Sequence, residues 1–183
     1  MNSKYLDQAL KTLAELGAAD LDHVNGDLTQ HLKGTYALLA EWGNPEPICL
    51  AGLYHAVYGT ADFPAQLLPI ERRSAVAAVI GPEAEALVYF YGACDRQYTY
   101  EQIISEAQPR YRDRFTCETY IPQNSLLVSF CELTLANELE IVSKNSEFRE
   151  RFRSDYIRLF TKFSGRVSQR AFKAYLEIFL TPD

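Results

Sequence analysis

The chain predicts an all-α fold, and three observations carry that reading. Apolar residues recur at three- and four-residue steps along most of its length. Helix stop and start signals, Gly17, Gly43-Asn44-Pro45, Gly81-Pro82 and Ser164-Gly165, punctuate that pattern. No segment of length alternates apolar and polar residues with the period of two that a half-buried strand requires.

Residues 4–16 set Tyr5, Leu6, Ala9, Leu10, Leu13 and Leu16 at helical spacing, and Gly17 supplies the stop. A second helix is expected after Asn25-Gly26-Asp27, with Asp27 as its N-cap, and runs to Trp42. The third begins near Pro45 or Pro47 and carries Ile48, Cys49, Ala51, Gly52 and Leu53 up to His55. Its small residues Ala51 and Gly52 let another backbone approach closely. After Tyr58-Gly59-Thr60-Ala61-Asp62-Phe63-Pro64 the chain turns, and residues 66–80 and 82–92 read as two helices divided by Gly81-Pro82. Residues 94–121, rich in Tyr and Arg, predict a short helix within long loops, the type of region that often covers a site. Residues 124–143 are apolar nearly all round and so predict a central helix. Two amphipathic helices, 146–163 and 168–179, finish the chain, with Ser168 as a cap. Their Phe160, Phe163, Phe172 and Phe179 could close the core or form the seam of a homodimer.

A length of 183 residues with 48% hydrophobic content supports one core and one domain over 1–183, with an N-terminal helix in 1–20, a main body over 20–145 and a C-terminal helical pair in 146–183. No run approaches the roughly 18 to 20 apolar residues that span a bilayer. The N-terminal Met1-Asn2-Ser3-Lys4-Tyr5-Leu6-Asp7 has neither an apolar stretch nor a small-residue cleavage site, so a cytoplasmic protein without a membrane partner is expected. The net charge of −6 is uneven: residues 1–100 carry 6 Lys and Arg against 12 Asp and Glu, while residues 101–183 carry 12 against 12. An acidic half disfavours a nucleic-acid surface and suits cations. The run Arg149-Glu150-Arg151-Phe152-Arg153-Ser154-Asp155 alternates its charges as a solvated helix face does. Cys49, Cys94, Cys117 and Cys131 are widely spaced and fit buried reduced thiols better than a metal motif or a disulfide framework.

All three histidines fall between His23 and His55. His31 shares a helical stripe with Thr35, Leu38 and Trp42, which turns it inward. His55 closes the small-residue helix, so two inward imidazoles on successive helices could ligate a divalent ion such as iron, manganese or zinc. His23, eight residues before His31, lies in a loop that could fold over the pocket as a third imidazole. Far downstream, Asn137 steps onto Phe130, Leu133, Thr134 and Ile141, so its amide points into the core and must be hydrogen-bonded or bound there. Glu138, hemmed by Cys131, Leu135 and Val142, likewise needs a cationic partner, a metal or a raised pKa. Asp95-Arg96 could set a carboxylate and an anion-clamping guanidinium at a pocket rim, or form a helix-end ion pair. Tyr58 could reach metal or substrate through its hydroxyl, packing being the ordinary role of a tyrosine.

These residues carry a resemblance. His31, then His55 in Ala51-Gly52-Leu53-Tyr54-His55-Ala56-Val57, then Leu135-Ala136-Asn137-Glu138-Leu139 resemble the motifs of the HD-domain superfamily of metal-dependent phosphohydrolases, over roughly residues 20–145. The resemblance implies an HD-domain-like helical bundle. The sequence departs from that pattern at Ala56 and Asn137, where the family has aspartates, so two anionic metal ligands are lost. Gly52-Leu53-Tyr54-His55-Ala56-Val57-Tyr58-Gly59-Thr60 also resembles a bacterial family labelled domain of unknown function 6817, which brings no activity with it.

The expectation is a small-molecule enzyme with one divalent metal on His31 and His55, its shell completed by His23, Asn137 or Glu138. Asp95 or Glu138 would manage protons and Arg96 would bind a small, possibly anionic substrate in phosphoester hydrolysis or metal-dependent oxygen chemistry. The competing expectation is a metal-free module that keeps the polar pocket without catalysis. A metal-free lyase or isomerase with histidine as base is the third.

Overall fold

The computed structural model describes residues 4–180. Met1–Ser3, part of the N-terminal stretch considered above, and residues 181–183 lie outside them. The fold is all-α: ten α-helices and two very small antiparallel strand pairs among the described residues. The chain divides into two compact units, Met1–Gly92 and Ala93–Asp183, a boundary that falls inside the stretch 20–145.

The first unit holds helices α1 (Lys4–Glu15), α2 (Leu28–Glu41), α3 (Glu46–Tyr54), α4 (Arg73–Ile80) and α5 (Pro82–Gly92). Gly17, at φ 75°, ends the first turn sequence as only glycine does without strain. Between α1 and α2 a minimal hairpin forms from β1 (Asp22–His23) and β2 (Gly26–Asp27). Asp27 then caps α2: its Oδ1 accepts from the Gln30 amide at 2.9 Å, and that bond holds its carboxyl below the usual carboxylate range. Helix α2 packs on α3, α3 on α5, α5 on α4 and α4 on α1, around Leu13, Leu32, Leu39, Leu53, Val57 and Val88, all fully buried. The Tyr54 hydroxyl donates to the Ala9 carbonyl at 2.8 Å and ties α3 to α1.

The helix expected over 66–80 is shorter, because the Leu67 and Leu68 amides both donate to the Val57 carbonyl and Pro69 has no amide to give. A 3₁₀ turn, Ile70–Arg72, leads into α4.

The second unit holds α6 (Arg96–Ser105), a hairpin of β3 (Tyr111–Arg112) and β4 (Thr119–Tyr120), then α7 (Asn124–Lys144), α8 (Ser146–Arg151), α9 (Arg153–Thr161) and α10 (Gln169–Phe179). The hairpin replaces the long loops expected over 94–121. Cys94 bridges to Asp113, and the buried Asp113 carboxylate accepts from the Phe115 and Thr116 amides, which fixes the turn. The single helix expected over 146–163 is broken at Phe152, whose φ of −107° and ψ of 9° leave helical geometry. That break directs Tyr156 and Phe160 onto the Phe179 ring, while Arg153 donates to the Phe179 carbonyl. Helix α7 is buried over most of its circumference, as its composition predicted. Its Glu132 accepts from both the amide and the hydroxyl of Ser168, at 2.8 and 2.7 Å, and Ser168 in turn caps α10. No described helix is long and apolar enough to cross a membrane.

All four cysteines are free, and three are buried as expected; Cys117 stands exposed in the hairpin turn at φ 62°. Burial pushes the Cys49 thiol up to about 11 and the Cys131 thiol up to about 12, so neither is a nucleophile near neutrality. A colorimetric thiol reagent at pH 8 should therefore label one cysteine quickly in the native protein, Cys117, and all four after denaturation; fast labelling of a second native thiol would contradict this packing. The Asp27 cap gives a pH signature. A folded-state carboxyl held below its ordinary value stabilises at and above the usual carboxylate range and ceases to do so as pH falls through the depressed value. Asp27→Ala should lower the melting temperature at pH 7, and the gap to wild type should close as the pH is lowered toward 2.

Candidate functional site: a buried histidine cluster

Three sequence features bring the histidines together. Helix α2 begins at Asp27 and places His31 one turn in, beside the fully buried Thr35, whose hydroxyl donates to the His31 carbonyl at 3.1 Å. Helix α3 ends at His55, its C-cap residue. Gly52 lets the two helices meet: a Cβ there would lie 2.4 Å from Leu39 Cδ1 on α2. The two ring nitrogens His31 Nε2 and His55 Nε2 consequently stand 3.2 Å apart, in side chains only 3% and 2% exposed.

Gly52 acts a second time through its backbone. A carbonyl can only accept, so the 2.7 Å contact between His55 Nδ1 and the Gly52 carbonyl puts a proton on Nδ1. In the neutral ring Nε2 is then a bare lone pair, aimed at His31. Without an ion, His31 Nε2–H donates to it. With one, the separation suits two ligands at the metal–nitrogen distance of about 2.0–2.1 Å, which on a tetrahedral ion lie about 3.3 Å apart. A ligating histidine whose other ring nitrogen is held by a carbonyl is the arrangement that fixes tautomer and ring orientation.

The β1–β2 hairpin lays His23 face to face on His31, with ring centroids 4.0 Å apart and planes 17° apart. Imidazole binds a metal in the plane of its ring, so in this stack an ion in the plane of His31 lies well off the plane of His23. Phe63 meets His23 edge-on at 5.6 Å, and Tyr91 of α5 meets His55 edge-on at 5.3 Å. Among the described residues no group of three or more His, Cys, Asp and Glu side chains is arranged to hold a metal ion. Within the first unit, His31 and His55 are the two imidazoles whose ring nitrogens meet.

Tyr58 lies in the same unit and is spent elsewhere. Its hydroxyl donates to Glu85 Oε1 at 3.0 Å, while Arg73 clamps both oxygens of Glu85 at 2.7 and 2.9 Å and lies over the Tyr89 ring. Burial, then the Glu85 charge, raises the Tyr58 phenol above its ordinary value. This half-buried ion pair ties α4, α5 and the turn after α3. Sequence reasoning passed over it, although Glu85 stands among apolar neighbours as Glu138 does.

The remaining candidates belong to the second unit. Asn137 and Glu138 are 4% and 6% exposed, buried as their helix positions predicted. Glu138 Oε1 accepts from Asn137 Nδ2 at 2.9 Å and lies 3.6 Å from Arg96; its Oε2 accepts from the Tyr156 hydroxyl at 2.6 Å. Burial, then the Glu138 charge, raises the Tyr156 phenol. Arg96, Glu138 and Tyr156 thereby tie α6, α7 and α9 to one another. Asp95 caps α6 through the Tyr98 amide at 3.1 Å and pairs with Arg112 at 3.5 Å, so its partner is Arg112 and not the neighbouring Arg96, which turns to Glu138.

The first unit thus defines a class: an all-helical scaffold that seals an imidazole pair between two closely packed helices. Residues 12–96 match the family described as Domain of unknown function (DUF6817), a stretch that contains all three histidines and the whole of α2 and α3, and the match supports that family for it. No curated protein matches the chain.

The Gly52 contact can be weighed. Gly52→Ala gains about 1 kcal/mol of helix propensity but overpacks against the buried Leu39 at a cost of about 1–3 kcal/mol. Gly52→Ala should therefore lower stability in urea denaturation by up to about 2 kcal/mol, and Leu39→Ala should cost less in the Gly52→Ala background than in wild type; a Gly52→Ala protein more stable than wild type would contradict the close approach.

Proposed function

We propose that the chain is a divergent HD-like small-molecule enzyme in which His31 and His55 hold one divalent transition metal, and that it hydrolyses a phosphate ester. The observation that carries this reading is the pair of buried Nε2 atoms 3.2 Å apart, one of them left as a lone pair because His55 donates its Nδ1–H to the Gly52 carbonyl. Two successive helices with histidines 24 positions apart also agree with the HD-like resemblance.

The ligand set selects the reaction class. Two neutral imidazoles leave the full charge of a divalent ion uncompensated, which favours an anionic substrate oxygen as a further ligand. Metal-dependent oxygen chemistry most often uses two histidines with a carboxylate, and no such three-residue group is formed among the described residues. The chemistry a divalent ion supplies here is Lewis-acid polarisation of a phosphoryl oxygen. The protein's own part is to hold both Nε2 lone pairs on one point, to keep the His55 tautomer through Gly52, and to shield the pair with the rings of His23 and Tyr91.

A metal-free ligand-binding module is the second reading, and the same 3.2 Å contact favours it, since the two imidazoles also satisfy one another as a hydrogen bond. A thermal-shift series with Zn²⁺, Mn²⁺ and Fe²⁺ separates the two. Linkage predicts a rise in melting temperature for wild type, about 2.7 kcal/mol of stabilisation at a hundredfold excess over the dissociation constant, and no rise for folded His31→Ala or His55→Ala. An unchanged wild-type melting temperature with all three ions would overturn the metal reading and leave the module.

A further inference from the structure

The turn that carries His55 is held against α5 at two levels. His55 is the C-cap of α3, and the chain leaves it through two tight turns, in which the Val57 amide donates to the Tyr54 carbonyl and the Gly59 amide to the Ala56 carbonyl, each at 2.9 Å. Tyr58 stands in the second of these turns, fully buried. The near end of its side chain lies against Gly92 of α5, where an added Cβ would sit 3.6 Å from Tyr58 Cβ and 3.0 Å from the Gly59 carbonyl. The far end, the hydroxyl, donates to Glu85 Oε1 at 3.0 Å. Glu85, the fully buried Val88 and Gly92 follow one another along a single face of α5. Two turns of helix separate the first from the last, about 10 Å along the axis.

Glu85 is itself held in one orientation. Arg73 grips both of its oxygens, at 2.7 and 2.9 Å, and lies 3.8 Å over the Tyr89 ring. A bidentate guanidinium fixes the plane of a carboxylate as well as its place, so the acceptor that receives the Tyr58 hydroxyl has a set direction. A tyrosine side chain is a rigid ring on two torsions. With both ends fixed, it sets where the turn lies along α5. The same helix meets the His55 ring edge-on through Tyr91 at 5.3 Å. The tolerance at that ring is small, because its Nδ1 must stay 2.7 Å from the Gly52 carbonyl while its Nε2 stays 3.2 Å from His31.

We propose that Tyr58 and Glu85 are positioning residues for the imidazole pair: the bond between them sets the register of the turn after α3 against α5, and so keeps His55 on the Gly52 carbonyl and on His31 at once. That His55 holds an ion rests on the reading above; its placement by Tyr58 does not. Tyr58 thus acts on the site through the backbone that it anchors, without its hydroxyl reaching metal or substrate.

Nitrogen-15 spectra of the histidine rings, recorded on the full chain without metal, test the placement. Tyr58→Phe keeps the ring and loses only the hydroxyl, and Glu85→Ala loses the acceptor. Each should move the His55 ring nitrogens and speed exchange of the His55 Nδ1 proton with water several-fold. The double variant should go no further than the larger single change, because both sever the same bond. Glu85→Gln, whose amide oxygen still accepts from Tyr58, should stay nearer to wild type than Glu85→Ala. Leu13→Ala, a core deletion in α1, should lower stability and leave the His55 signals in place. Under the metal reading, zinc binding by Tyr58→Phe should also weaken by roughly tenfold. His55 signals unchanged in Tyr58→Phe and Glu85→Ala, additive changes in the double variant, equal changes in Leu13→Ala, or zinc bound as tightly by Tyr58→Phe as by wild type would overturn the positioning role. Should wild type take up no zinc while the ring signals move as stated, the metal reading fails and the positioning stands.

Discussion

The close approach of α2 and α3 at Gly52 is the constraint on which the candidate site depends. It removes a side chain where Leu39 must sit, and so lets the two helix axes come near enough for His31 and His55 to meet. The same residue's carbonyl orients the His55 ring. One glycine thus sets both the distance between the imidazoles and the protonation of the one that receives. A larger residue would leave both histidines on inward faces and still spoil the pair.

Around that constraint the protein spends its buried charges on cohesion. Glu85 is held by Arg73 and Tyr58 in the first unit, and Glu138 by Tyr156, Asn137 and Arg96 in the second. Removing Arg96 or Tyr156 would leave the Glu138 carboxylate short of a partner in a low-dielectric interior, whereas Arg73 reaches solvent and its pair with Glu85 is partly screened. Both carboxylates act as ties between helices in the units that hold them. The histidine pair is different, because neutral imidazoles need no counter-charge, and a site built from them can be buried without a carboxylate to balance it.

Much of this was legible in the sequence. The inward turn of His31, Thr35 and Trp42, the cap at Asp27, the small residues before His55 and the apolar circumference of 124–143 each follow from period and residue type, whereas Leu38 of the same stripe is only half-buried and Leu39 is the leucine in the core. The shortened helix before α4 was not legible, since the two amides that bond the Val57 carbonyl answer to a tertiary contact and not to a local pattern. Nor was the hairpin at 22–27, because two-residue strands are too short to show a period. The stack of His23 on His31 depends on that hairpin, so a loop histidine could be named from the sequence while its face-on geometry could not. Tyr58 shows the reverse limit: a hydroxyl three residues after a candidate histidine was drawn to a buried carboxylate 27 positions away.

The central claim is that His31 and His55 present two Nε2 lone pairs to one point. Nitrogen-15 correlation spectra of the histidine rings, recorded during a zinc titration of the full chain, address it directly. The expected result is His55 protonated on Nδ1 throughout, with both Nε2 resonances moving together as zinc is added and the His31 proton passing to Nδ1. A His55 ring protonated on Nε2, or Nε2 resonances that stay in place at saturating zinc, would contradict the account.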